Sequence, residues 1–250
     1  MKRASRDLIK TPLVVLLTIC LGAVTVLGQE IQTAESFFSG VSAKFGEIED
    51  YTCEFTISQG DTVSGGKLYY KRPDLLRLDF EHPEGQVVLS DGEKLMVYLP
   101  VAGVILQQSF SEDSGVSPAR PPGAMNPGGL YLLSEGYDIA YLDSPEPVPL
   151  NSPENDEEEE SEEAATALDD EMVVKLRLTR SNSLEMFREI ILSISEDSLI
   201  RRFRGIADDY SEIVTDFENV EIDQGIPDNR FEEEAWPEAN VYPDFLIRTE

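Results

Sequence analysis

From Tyr51 onward the chain alternates. Tyr51, Cys53, Phe55 and Ile57 are separated by Thr52, Glu54, Thr56 and Ser58. A period of two sends successive side chains to opposite faces of a strand, so this segment is a half-buried strand and not a helix. The pattern recurs. Leu76, Leu78 and Phe80 alternate with Arg77, Asp79 and Glu81. Lys67–Arg72 reads as a strand ending at Pro73. Gln86–Leu89 and Leu95–Leu99 flank Asp91-Gly92, a hairpin signal, and Val104–Phe110 is a further strand. After Tyr137–Leu142, the segments Met172–Thr179, Glu185–Ser195, Leu199–Ala207 and Ser211–Ile222 form a meander, and Ile226–Phe231 with Trp236-Pro237 closes the chain. No strand–helix alternation is present, which disfavours a parallel α/β fold. The expected class is mainly β: a large antiparallel sheet of about ten strands, curved into a partial barrel.

Two helices interrupt the strands. Phe37, Phe38, Val41, Phe45 and Ile48 share one helical stripe within residues 33–49, with Thr33 as N-cap. Gly129–Glu135 suits a short apolar helix. The Ser-, Pro- and Gly-rich residues 111–128 read as a loop. Residues 144–171 hold twelve acids and no base, and are expected to be a solvated loop between strands with at most weak divalent-ion binding.

The first 28 residues read as an address. Lys2, Arg3, Arg6 and Lys10 precede an apolar run from Leu13 to Leu27, and Val26-Leu27-Gly28 suits cleavage before Gln29. The run is short for a membrane span. Cys20 raises the alternative of a lipidated N-terminus, although Ile19 before it is not the small residue such signals use. The expected organisation is a signal peptide at 1–28 and one domain at 29–250 carrying the acidic insert at 144–171. Cleavage leaves Cys53 as the lone thiol, which its place in a strand makes a buried core group.

Charge and residue inventory exclude several functions. Asp and Glu number 49 against 20 Lys and Arg, a net charge of −29. That opposes nucleic-acid binding and adsorption to anionic membranes, and favours basic partner surfaces. His82 is the single histidine, it precedes Pro83 at a strand end, and nothing marks it as a general base. With two cysteines, the usual zinc sets cannot form within one chain. Gly60 to Lys67 only approximates a phosphate-binding loop: the glycine spacing is off by one, and Leu68 stands where a hydroxyl would be needed. No hydrolase motif is present. Catalytic, metal and cofactor sites are therefore not expected.

One segment is specific. Gly66-Lys67-Leu68-Tyr69-Tyr70-Lys71-Arg72-Pro73 leads into an amphipathic strand, then Leu89-Ser90-Asp91-Gly92 turns into Leu95-Met96-Val97-Tyr98-Leu99-Pro100. The order of strand, KRP, strand, SDG hairpin and aromatic strand resembles the LolA family of periplasmic lipoprotein carriers. Residues 33–57 are similar to that family's first helix and strand, and Phe231 and Pro237 to its closing segment. The resemblance implies a half-open antiparallel barrel, incomplete and covered by a lid of short helices, with acyl chains bound between sheet and lid. It implies a carrier that shuttles lipoproteins from the inner to the outer membrane. Its partners would be acylated lipoproteins, an inner-membrane lipoprotein-releasing ABC transporter and, where one exists, an outer-membrane receptor. A periplasmic monomer without cofactor is the corresponding expectation.

Onto that design, Phe38, Phe45, Phe55, Leu68, Leu76, Leu78, Phe80, Val97, Leu130 and Leu133 become the candidate lipid-cavity residues. Arg72 matches the arginine that gates the lid in the family. If the strand stays in phase through Pro73, Arg72 shares the inner face with Leu76, Leu78 and Phe80, and the 129–135 helix is its natural partner. The bland alternative is an arginine reaching solvent at a strand end. Phe45 is open to an equally plain reading as helix-on-sheet core. Leu76 and Leu78 replace aromatics common in the family, and the acidic insert is foreign to it. The residues leave other functions open: a receptor like LolB, a stress sensor like RseB, a carboxylate hydrolase, or an unrelated secreted β protein.

Overall fold

A computed structural model describes residues 32–109, 127–152, 171–182, 185–233, 236 and 239–243. The signal segment with Cys20, Phe110, residues 111–126, most of the acidic segment and Pro237 lie outside the described residues. Among those described, one helix precedes six strands: α1 (Ala34–Glu47), β1 (Asp50–Gln59), β2 (Thr62–Lys71), β3 (Leu75–His82), β4 (Val87–Asp91), β5 (Lys94–Leu99) and β6 (Val104–Ser109). Then come α2 (Pro127–Gly136), β7 (Tyr137–Tyr141), β8 (Val148–Pro149), β9 (Met172–Arg180), β10 (Glu189–Ser195), β11 (Ile200–Ile206) and β12 (Glu212–Ile222). A 3-10 turn at Asp228–Phe231 and β13 (Asn240–Pro243) complete them. All of these belong to one unit, Thr33–Glu250.

The 13 strands form one open sheet in the order β13-β6-β5-β4-β3-β2-β1-β12-β11-β10-β9-β7, with β8 paired to β9. The sheet does not close on itself, in keeping with an incomplete barrel. Every pairing is antiparallel except β13 on β6, a parallel edge that the meander pattern did not foretell. The SDG hairpin forms as expected. Asp91 Oδ1 accepts from the backbone of Glu93 and Lys94, each at 2.9 Å, and Gly92 takes a φ of +88° that suits glycine.

Each face of the sheet carries its own core. On the inner face, α1 packs Ala34, Phe38, Val41 and Phe45 against Tyr51, Cys53, Phe55, Leu68, Tyr70 and the apolar residues of β9 and β10. Thr33 caps the helix, its Oγ1 accepting from Ser36 N at 3.2 Å. Phe45 meets Tyr51 edge-on at 6.3 Å, and Tyr51 meets Tyr70 at 5.2 Å. The outer face of β3–β6 buries Val87, Leu89, Met96 and Ile105 under a C-terminal strap through Ile226 and Phe231. Trp236 stacks on Tyr98 at 4.6 Å. Arg77 and Asp79 pair at 2.7 Å beneath the strap, Asp79 also pairs with Arg230, and the Arg230 guanidinium lies 4.2 Å over the Tyr69 ring.

Two expectations need correction, on where β2 ends and on the acidic insert. Within β2, Gly65-Gly66 forms a bulge where the register against β3 slips. A Cβ on Gly66 would collide with the Asp79 carbonyl, so a close backbone approach accounts for the glycine. The β2 strand ends at Lys71, and Arg72 to Asp74 form a turn. The acidic insert is not loop from residue 144. Val148–Pro149 pairs with Val173 and Met172, Leu150 is buried against Val173, and Leu150 N donates to Glu171 O at 2.9 Å.

Candidate functional site

The strand register sorts the inner face into rows. In one row Cys53, Leu68, Leu78, Val88, Val97 and Leu106 stand directly opposite one another across β1 to β6. Burial fades along it. Cys53 is 1% exposed and Leu68 6%, whereas Leu78, Val88, Val97 and Leu106 are only half-buried. A second row runs Tyr51, Tyr70, Leu76, Ser90, Leu95, Gln108 and is buried throughout. Phe80 is half-buried beside the first row and meets Phe55 edge-on at 5.0 Å.

The ten candidate cavity residues therefore separate into two kinds. Phe38, Phe45, Phe55, Leu68, Leu76 and Leu130 are buried members of the closed inner core. Leu78, Phe80 and Leu133 are half-buried and pack against that core, and Val97 continues the row beyond it. Val88 and Leu106 belong with them and were not singled out from sequence. Their strands are apolar on both faces, because the strap covers the outer one, so alternation did not reveal which residues point inward.

Arg72 sits at the end of α1. Its Nη1 donates to Gly46 O, its Nη2 lies 2.7 Å from Glu49 Oε1, and its backbone N–H donates to Glu49 O at 2.9 Å. The last carbonyls of a helix lack intrahelical donors and carry partial negative charge, so a guanidinium there answers both needs. This corrects the expected partner. The strand does not continue through the KRP turn, yet Arg72 still reaches an inner-face helix, and the contacts described for it are with the end of α1 rather than with α2.

Neighbouring residues tie the same corner to the strap. Asp50 is buried, and its carboxylate accepts from the backbone of Gln224 at 2.9 Å and of Gly225 and Ile226 at 3.0 Å. Asp223 Oδ1 accepts from Glu49 N at 2.9 Å. Lys71, directly opposite Asp50, donates to Ile226 O at 2.7 Å and pairs with Asp228.

Between α1, α2 and β7 lies a cleft of about 470 Å³, lined by Glu35, Phe38, Ser39, Ser42, Tyr131, Ser134, Tyr137, Asp138 and Ile139. Its carboxylates and hydroxyls contrast with the apolar row. Burial raises the Tyr137 hydroxyl above its ordinary pKa, with the Glu185 carboxylate adding to the effect. Burial likewise pushes the Cys53 thiol up to about 12, which leaves it protonated and inert as a nucleophile. Among the described residues, no three of His, Cys, Asp and Glu converge as a metal site, and no helix is long and apolar enough to cross a membrane.

Residues 53–120 match the family model described as outer membrane lipoprotein carrier protein LolA. That span contains β1 from Cys53 through β6, and with it the whole apolar row. The outer-membrane lipoprotein carrier protein of Alkalilimnicola ehrlichii is 28% identical over 146 residues, covering 56% of this chain and 64% of that relative. Its counterpart from Histophilus somni strain 2336 is 40% identical over 53 residues, 20% of this chain and 26% of the relative. The chain thus spans less than two thirds of these relatives. Among solved structures, an uncharacterized conserved protein from Thermus thermophilus has a TM-score of 0.52 at 10% identity, covering 84% of this chain and 98% of that one. That likeness is one of fold. In sequence the chain resembles the LolA family, most specifically over the strands that build the half-exposed apolar row.

Proposed function

We propose that this chain is a periplasmic carrier that holds the acyl chains of lipoproteins against the inner face and shuttles them from the inner to the outer membrane. The observation that carries this reading is the row Leu78, Val88, Val97 and Leu106. It is apolar, in register, half-exposed and continuous with a closed core. Each buried methylene is worth about 0.8 kcal/mol, so one long acyl chain presents on the order of 10 kcal/mol of apolar surface that needs a dry host to cross water. A row that a neighbouring core already shields on one side supplies such a host without first breaking that core. Helix α1 packs on the closed core that the row continues, and Arg72 binds the end of that helix. On this reading α1 is the lid, and its position sets the balance between holding and releasing cargo. The role is that of a non-enzymatic binder, loaded by an inner-membrane ABC transporter and unloaded at an outer-membrane receptor where one exists.

The test is to co-express the chain with a lipoprotein, purify it without detergent and examine bound species by native mass spectrometry. A co-purifying acylated protein, lost when Val88 and Val97 are made acidic, supports the carrier. A chain that never acquires lipid, and whose N-terminus carries a diacylglycerol on Cys20, overturns it in favour of an anchored receptor.

A further inference from the structure

The corner where β1 begins and β2 ends grips two elements on opposite faces of the sheet. Asp50 and Lys71 are directly opposed, and the pair holds the strap on the outer face through residues 224–228. One step further out, Glu49 and Arg72 are joined by the bond from Arg72 N to Glu49 O, and this pair holds the last turn of α1. Asp50 and Lys71 are the end residues of their strands, and Glu49 and Arg72 lie just beyond them. Two adjacent residue pairs therefore connect an inner-face helix to an outer-face strap with no flexible segment between them. Asp223 closes the loop, since its carboxylate takes Glu49 N while its own N–H donates to Asp50 O at 2.7 Å.

We infer that this corner is a mechanical linkage: seating of the strap segment 223–231 on the outer face and seating of the α1 C-terminus over the inner face are energetically coupled through Asp50–Lys71 and Glu49–Arg72. Loosening one loosens the other. A protein that pulled on the strap would move the helix without touching the apolar row. Conversely, an occupant of the row that displaced α1 would loosen the strap, because coupling between two sites is reciprocal. The helix-to-strap linkage stands on the hydrogen bonds alone. Only its consequence for acyl binding rests on the carrier reading.

Lys71→Met tests it, because Lys71 contacts the strap and makes no described contact with α1. Amide exchange is followed at residues 43–48 and 224–231, with β10 amides as the reference for global opening. Exchange at 43–48 is expected to rise about fivefold or more relative to β10, and Arg72→Leu added to Lys71→Met is expected to add less than it does alone. Exchange rising only at 224–231, or two effects that multiply independently, overturns the linkage. Should Lys71→Met not fold, Asp228→Asn replaces it with the same readout, since the Asp228 side chain is 80% exposed. In a second arm, saturating wild-type protein with dansyl-labelled undecanoic acid is expected to raise exchange at 224–231. A probe that binds and raises exchange at 43–48 but not at 224–231 overturns the linkage, and one that binds and leaves both unchanged counts against α1 as the lid. A probe that does not bind counts against the carrier reading, and the exchange arm still decides the linkage.

Discussion

Nη2 of Arg72 lies 2.7 Å from Oε1 of Glu49, two residues beyond the end of α1, and the same guanidinium takes the carbonyl of Gly46. One side chain thus finishes a helix on the inner face from a turn that belongs to the sheet. The pair is partly solvated, with 38% and 70% of the two side chains exposed, so its value lies in fixing position more than in stability.

Replacing Arg72 should separate those two effects. Arg72→Leu is expected to lower stability by about 1 kcal/mol or less, the range of an exposed ion pair, while amide exchange at residues 44–48 rises clearly. Arg72→Lys keeps the charge but cannot span Gly46 and Glu49 with a planar fork, so it should rescue only part of the exchange protection. A loss of several kcal/mol with unchanged local exchange would make Arg72 an ordinary structural residue.

Adjacent residues of β4 should behave oppositely. Val88 is half-buried on the inner row, and Leu89 is 1% exposed in the outer core. Val88→Asp is expected to leave the thermal midpoint within a few degrees while weakening a fluorescent acyl probe about tenfold or more, since a valine contributes about 1.5 kcal/mol or more on burial. Leu89→Asp should unfold the protein, because it buries a charge without a partner. Equal damage to folding by both would show that the row is closed core and not a binding face.

Reading by residue, what was legible in the sequence was whatever local periodicity encodes. The strands around Cys53, Leu78 and Val97 and the stripe of Phe38, Val41 and Phe45 were plain, because alternation and helical spacing are properties of neighbours. Orientation was plain only where one face is wet. Along Val87-Val88-Leu89 and Leu95-Met96-Val97 both faces are apolar, so no alternation remained to say which residues point inward. The strap hides for a related reason: Asp50 finds its partners at 224–226, and nothing near Asp50 announces them. Leu150 was lost in acidic surroundings, although a single apolar residue sufficed to pin the segment to Val173. Arg72 was found through family resemblance, and its partner was misjudged because nothing near it in the sequence marks the end of α1 as its contact.

Two glycines offer a clean contrast. A Cβ on Gly66 would strike the Asp79 backbone, whereas one on Gly40, within α1, would meet nothing within 4 Å. Gly66→Ala is expected to cost about 1–3 kcal/mol as β2 and β3 are forced apart. Gly40→Ala should stabilise by about 0.5–1 kcal/mol through helix propensity. Urea midpoints measured on both variants decide the matter, and a neutral Gly66→Ala would mean that the bulge relaxes freely.

Alkaline pH should destabilise the fold through two buried acids. Cys53 ordinarily ionises near 9.0, but burial pushes it to about 12, and burial with Cys53 and Tyr70 nearby raises Tyr51 well above 10.0. Both are neutral when protonated, so above about pH 9 the unfolded chain loses protons that the native chain keeps. The native state then binds more protons, and stability falls as pH rises. The contribution is complete below pH 9.0 and is lost progressively toward about 12. Urea midpoints taken at half-unit steps upward from about pH 8 should decline, and Cys53→Ala should flatten the first part of that decline. Iodoacetamide at about pH 8.5 should label Cys53 only in denaturant. Labelling of the native protein at the unfolded rate, or a stability curve flat through pH 9–11, would mean that the first strand of the apolar row is open to water.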